Sequence, residues 1–195
     1  LGVKYGADLV VIETMNDSYE TKAALLAVKE NSDLPVIVTN VYGEDGKLMT
    51  GASPAAMVAM LEGMGADAIG VNCSLGPDAL RSVTEEYLAL ASIPVILKPN
   101  AGLPHVENGV TVFDVTVDEF ADEVASLVEA GVRVVGGCCG TNFQLEEISS
   151  MALITTKRLL FTVGDQYYEI KAKKPLCLRK YLLCWQKARA KVTAE

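Results

Sequence analysis

The residues most able to do chemistry in this sequence are three cysteines. Cys73 follows the apolar run Ala68–Val71 and Asn72, whereas Cys138 and Cys139 sit side by side in Gly136-Gly137-Cys138-Cys139-Gly140-Thr141. Any one of them alone reads as a buried small hydrophobe or a redox thiol. Three thiols at the ends of apolar runs suit a different task. Soft thiolates favour zinc, and three protein ligands with a fourth position open describe catalytic zinc, because structural zinc fills all four positions with protein. Two adjacent cysteines reach one ion only where the backbone bends sharply, which Gly136, Gly137 and Gly140 would permit. A three-histidine site is excluded, since His105 is the only histidine.

The elements that must position these thiols are legible from apolar runs at Leu9–Ile12, Val36–Val38, Ala68–Val71, Val95–Leu97 and Val132–Val135. Near-continuous apolar strands predict a parallel sheet covered on both faces. Helical patterns fill the gaps between them. Asp17 and Ser18 can cap one helix with Glu20 at the capping-box offset, Pro54 opens a second that stops near Gly63–Gly65, Pro77 opens a third ending near Ser92, and Val117–Ala130 makes a fourth. A short pattern repeats: Tyr5-Gly6-Ala7-Asp8, Met64-Gly65-Ala66-Asp67 and Ala130-Gly131-Val132 each end a helix with glycine and run into a strand. The strands end in Glu13-Thr14, Asn72-Cys73 and Gly137-Cys138-Cys139, which gathers polar and reactive residues at strand carboxyl ends. In a parallel barrel Cys73 and the cysteine pair, one strand apart, then lie on one face. Five units are visible, so the expected fold is an α/β (β/α)8 TIM-barrel type, incomplete. A doubly wound sheet would need a cofactor fingerprint, and no G-x-G-x-x-G follows the first strand.

Composition agrees with a packed domain. The chain has 195 residues, 50% hydrophobic and 22% charged, with five cysteines. Residues 1–150 carry 7 Lys+Arg against 22 Asp+Glu, a net charge of −15, while residues 151–195 carry 10 against 3, a net +7. The acidic body predicts no nucleic-acid partner. No apolar run approaches the roughly 20 residues of a membrane span, and no secretory signal opens the chain, so a cytoplasmic protein with free thiols is expected. Residues 153–195 form a separate basic stretch without the repeat. There Phe161–Ile170 predicts a strand or hairpin and Leu178–Val192 a basic helix, with Cys177 and Cys184 on one face. Its charges are read as solvated, with a membrane-surface or partner helix as the alternative.

Gly70-Val71-Asn72-Cys73-Ser74-Leu75-Gly76-Pro77-Asp78, Lys98-Pro99-Asn100-Ala101-Gly102-Leu103-Pro104 and Gly136-Gly137-Cys138-Cys139-Gly140-Thr141 resemble the homocysteine S-methyltransferase domain family. The likeness runs from about Gly6 to Met151 and is strongest to the homocysteine-binding module of cobalamin-dependent methionine synthase. It implies a barrel of which this chain supplies about strands four to eight, over residues 1–152, with residues 153–195 as linker or tail. It also implies Zn2+ held by Cys73, Cys138 and Cys139, and transfer of a methyl group to the thiol of homocysteine, giving methionine. The implied donor is methylcobalamin on another module, with cobalamin- and folate-binding modules of the same enzyme as partners. Stand-alone relatives that use betaine or S-methylmethionine, and a non-catalytic metal-binding remnant, are the alternatives. Glu13 occupies the place of a family glutamate that pairs with the substrate's ammonium group; the alternative is an acid favouring a helix dipole. Asn72 is expected to bind the amino-acid portion or to orient a cysteine loop. Thr39 and Asn40 are expected on the same rim, Asn100 in a structural turn, and His105 in a solvated loop.

Overall fold

The computed structural model describes residues 2–141 together with strands at 160–163 and 166–169. A single 3-10 turn, Val3–Tyr5, leads into β1 (Val10–Met15), α1 (Ser18–Asn31), β2 (Val36–Asn40), α2 (Pro54–Gly63), β3 (Ala68–Asn72), α3 (Arg81–Leu90) and β4 (Val95–Lys98). A hairpin, β5 (His105–Glu107) and β6 (Val110–Val112), separates β4 from α4 (Val117–Ala130) and β7 (Val134–Val135). The main sheet has the order β1-β2-β3-β4-β7, all parallel. Strand following strand through a helix is the βαβ succession of a TIM-barrel type, and the barrel is not closed among the described residues.

Each helix forms for a local reason. Asp17 accepts the Glu20 N–H at the start of α1, Ser53 accepts the Ala56 N–H before Pro54, and Thr116 with Glu119 makes a full capping box on α4. Such caps satisfy the unpaired N–H groups of the first turn. In α4, Phe120, Ala121, Val124 and Leu127 form one buried stripe at helical spacing. In the repeat, Gly65 and Gly131 both take positive φ, 80° and 136°, which turns each helix end back into a strand. Asp67 of the same repeat accepts the Val36 N–H and pairs with Lys29, so it ties α1 and β2 together.

Alternation along the strands separates two faces. Ile12, Val36, Val38, Ile69, Val71, Val95, Leu97 and Val135 pack with Leu25, Leu61, Tyr87 and Phe120 into one core between sheet and helices. Burial of each large side chain there contributes about 1.5–3 kcal/mol. The alternate positions, Glu13, Thr39, Gly70, Ile96 and Lys98, point to the opposite, concave face. Gly70 is confined to glycine, because a Cβ would fall 1.9 Å from the Ile96 carbonyl oxygen.

Three expectations need correction. Helix α3 begins at Arg81 and not at Pro77, because residues 77–80 form a separate turn closed by the Leu80 N–H on the Gly76 carbonyl. β7 covers only Val134–Val135 of the expected Val132–Val135, since the Val132 N–H still bonds to the Leu127 carbonyl at the helix end. His105 lies in a hairpin and not in a loop; Asn108 and Gly109 both take positive φ, 50° and 80°, as a two-residue hairpin turn requires. The hairpin expected near Phe161–Ile170 is present as β8 (Leu160–Val163) paired with β9 (Gln166–Glu169). The helix expected at Leu178–Val192, with Cys177 and Cys184, lies outside the described residues. Among the described residues no helix is long and apolar enough to cross a membrane.

Candidate metal centre

The carboxyl ends of β3 and β7 flank that of β4, and the three cysteines meet above them. All three sulfur atoms lie within 4.8 Å of one another. Backbone contacts set this up before any metal is considered. The Cys73 N–H donates to the Lys98 carbonyl, the Cys138 N–H to the Pro99 carbonyl, and the Ala101 N–H to the Cys139 carbonyl. The loop after β4 is therefore the common scaffold for both cysteine segments.

Asn100 has a larger part than a turn residue. Its side-chain Oδ1 accepts the Cys139 N–H at 3.0 Å, its own N–H reaches the Leu75 carbonyl, and it is 3% exposed. It thus joins both cysteine loops. Only Gly140 among the flanking glycines takes left-handed φ, 78°, and a Cβ there would meet the Phe113 ring at 2.3 Å. Gly136 and Gly137 do not take positive φ. Gly137 is glycine because a Cβ would strike Thr141 Oγ1 at 2.3 Å. The sharp bend falls instead at Cys73 and Ser74, whose φ values are 62° and 59°. Non-glycine residues in that region persist only where surrounding contacts over-determine them; here the Ser74 hydroxyl donates to the Tyr42 carbonyl.

The electrostatics follow from crowding. Burial pushes the Cys138 thiol up to about 12, and the neighbouring Cys73 and Cys139 add to the shift. Burial, then Cys73, likewise raises Cys139. A cation would reverse this balance by favouring thiolates. Tetrahedral zinc with bonds of about 2.3 Å to sulfur places its sulfur ligands roughly 3.8 Å apart. Cys73 Sγ and Cys139 Sγ are 3.8 Å apart. The donor type, number and spacing fit zinc.

Asn72 is fully buried at the end of β3. Its Oδ1 accepts the Thr14 N–H at 3.1 Å and its Nδ2 donates to Thr14 Oγ1 at 2.8 Å. Thr14 has φ 62°, beside an irregularity in the β1–β2 pairing. Glu13 lies within β1, on the concave face, and pairs with Lys98. Lys98 enters the sequence reading only as the first residue of the Lys98–Pro104 motif, with no role of its own, although its position three residues after Val95 puts it opposite in phase to the core residues Val95 and Leu97. Thr39 is buried with its hydroxyl unpartnered, whereas Asn40 turns to the helix side, where its Nδ2 donates to Thr21 Oγ1 and the Met15 carbonyl. His105, on the hairpin, has its ring nitrogens 3.3 Å from Glu107 Oε1 and 3.4 Å from Asp114 Oδ2.

A three-thiol cluster able to hold a metal, at the strand carboxyl ends of a TIM-barrel-type α/β scaffold, defines the class of protein. The homocysteine S-methyltransferase family matches this chain over residues 1–153, and the chain belongs to that family. It is 35% identical over 142 residues to methionine synthase of Mycobacterium leprae (strain TN), and 33% over 142 residues to that of Mycobacterium tuberculosis (strain ATCC 25618 / H37Rv). Each match covers 70% of this chain and 12% of the relative, so the chain spans about an eighth of those enzymes. The fold is similar to that of the homocysteine methyltransferase MmuM from Escherichia coli. In its metallated form the TM-score is 0.62 at 22% identity, over 77% of this chain and 47% of that one. The apo form gives 0.61 at 21%, over 77% and 51%.

Proposed function

We propose that this chain is the zinc-holding, homocysteine-binding part of a methionine synthase, and that it presents the homocysteine thiol to methylcobalamin carried on another module. The observation that carries this reading is the convergence of Cys73, Cys138 and Cys139 at zinc-compatible spacing in a member of this family. When bound, zinc supplies a Lewis acid that lets a substrate thiol lose its proton near neutral pH. Cys73, Cys138 and Cys139 would hold the ion and leave a ligand position for the substrate thiol. Glu13 receives the substrate's ammonium group. Asn72 and Asn100 hold the two cysteine loops in place, the first through Thr14 and the second through the Cys139 N–H. Methylcobalamin on the other module would supply the methyl group, and the homocysteine thiol presented beside Cys73, Cys138 and Cys139 would accept it.

Residues 1–152 act as the barrel part, and residues 153–195 connect it to a following, folate-binding module. Free thiols at Cys73, Cys138 and Cys139 suit a cytoplasmic setting. The experiment is to load the chain with zinc and supply homocysteine with methylcobalamin, betaine or S-methylmethionine. Methionine formed from methylcobalamin, and abolished by Cys138→Ser, is the expected result. Turnover with betaine or S-methylmethionine alone would assign a stand-alone methyltransferase. Zinc bound without any uptake of homocysteine would leave a metal-holding remnant.

A further inference from the structure

Across the concave face Lys98 on β4 pairs with Glu13 on β1. These strands are not neighbours, since β2 and β3 lie between them. At about 4.8 Å per strand the pair bridges roughly 14 Å of sheet, so curvature must bring the two side chains together across the mouth. Between them on the same face lie Thr39 and Gly70, both buried. Both charges remain accessible, with side-chain exposures of 26% for Lys98 and 38% for Glu13. A pair so exposed contributes little and is readily exchanged for other partners.

Both members are also anchored to the thiol cluster. The Lys98 carbonyl accepts the Cys73 N–H, and the residue after Glu13 is held by Asn72, which precedes Cys73. An α-amino acid carries an ammonium and a carboxylate on one carbon. Beside Glu13 alone, its ammonium would be matched, but its carboxylate would face a second carboxylate, a repulsive contact. A cation already paired with Glu13 removes that conflict.

We propose that Lys98 binds the carboxylate of the substrate, so that the Glu13–Lys98 pair is a template for a zwitterion: the two side chains part and each takes the opposite charge of the incoming amino acid. This makes Lys98 a specificity-determining residue that distinguishes an aminothiol with a carboxylate from one without. The inference rests on the proposed binding of homocysteine.

The test is calorimetric titration of the zinc-loaded 195-residue chain with homocysteine and with 3-aminopropane-1-thiol, which is homocysteine lacking its carboxylate. The native chain is expected to prefer homocysteine by about tenfold or more, as a charge-assisted hydrogen bond would provide. Lys98→Met should erase that preference by weakening homocysteine and sparing the aminothiol, and Lys98→Arg should retain most of it. Equal affinity for both ligands in the native chain, an unchanged ratio in Lys98→Met, or equal weakening of both would overturn the role of Lys98. Zinc content and circular dichroism show whether each variant is folded; should Lys98→Met lose zinc, Lys98→Gln and the native ratio decide. No binding of homocysteine to the zinc-loaded native chain would overturn the proposed function itself, and this inference with it.

Discussion

Asn72 and Thr14, 58 residues apart, are joined by two reciprocal hydrogen bonds that lock the carboxyl end of β3 to that of β1. Thr14 is held in the left-handed region, and so is Cys73, the residue after Asn72. One amide thus fixes the left-handed Thr14 beside Glu13 and anchors the residue that precedes the left-handed Cys73 of the candidate metal centre. Asn72→Ala would leave the Thr14 N–H without its acceptor and is expected to cost about 1–3 kcal/mol. Thr14→Val, which removes only the side-chain acceptor, should cost less, about 0.5–1.5 kcal/mol. Urea unfolding of the zinc-loaded chain measures both. Zinc affinity should fall in Asn72→Ala, because the Cys73 backbone loses its restraint; unchanged affinity would mean that the Lys98 carbonyl alone positions Cys73.

Metal-free and metal-loaded protein should respond to pH in opposite directions. Without metal, burial pushes the Cys138 thiol of the folded chain up to about 12. An unperturbed thiol titrates near about 8.5, so from there upward the unfolded chain binds fewer protons than the folded one, and stability falls as pH rises. The contribution is fully present below that pH. Zinc needs the thiolates, so loading at neutral pH should release about two protons or more per ion, and affinity should drop in acid. Thermal midpoints against pH, with and without zinc, and an indicator dye read these effects. Cys73→Ser and Cys138→Ser should each lower zinc to well under one ion per chain.

The parallel strands were readable because strands buried on both faces are apolar throughout, as Ala68–Val71 and Val95–Leu97 are. The cysteines were readable because thiols are uncommon and stood at strand ends. The hairpin at His105 has a signal in Asn108-Gly109, but its strands are three residues each and expose Val106 and Val110, so no apolar alternation marks them. The partnership of Lys98 with Glu13, across 85 residues, depends on sheet curvature that no local pattern encodes. Strain moved in the same way: glycines offered the bend at Gly136 and Gly137, yet long-range contacts placed it at Cys73 and Ser74.

Gly140 makes a contact that no other residue can make. It combines φ 78° with a Phe113 ring lying where a Cβ would be. Gly140→Ala is therefore expected to destabilise by more than about 1 kcal/mol from backbone strain alone, with displacement of Phe113 in addition. Phe113→Leu combined with Gly140→Ala should recover part of the loss, because the steric component would be relieved. Zinc content of the single variant checks whether the cysteine loop moves with it.

Behind the site, Tyr42 and Tyr87 meet edge-to-face with their hydroxyls 2.8 Å apart, both fully buried. Burial raises the pKa of each, so both stay neutral and each hydroxyl finds its partner in the other. The pair also underlies the cysteine loop, since the Tyr42 carbonyl accepts the Ser74 hydroxyl. Removing one hydroxyl strands the other in an apolar core, so Tyr87→Phe and Tyr42→Phe should each cost about 1–3 kcal/mol. Removing both eliminates the unsatisfied group, and the double variant should be destabilised by less than the sum of the singles, with a coupling of about 0.5–3 kcal/mol. Chemical unfolding of the four proteins closes this cycle. Strict additivity would show that water or another group satisfies the remaining hydroxyl, and that the pair does not act as a unit beneath Ser74 and Cys73.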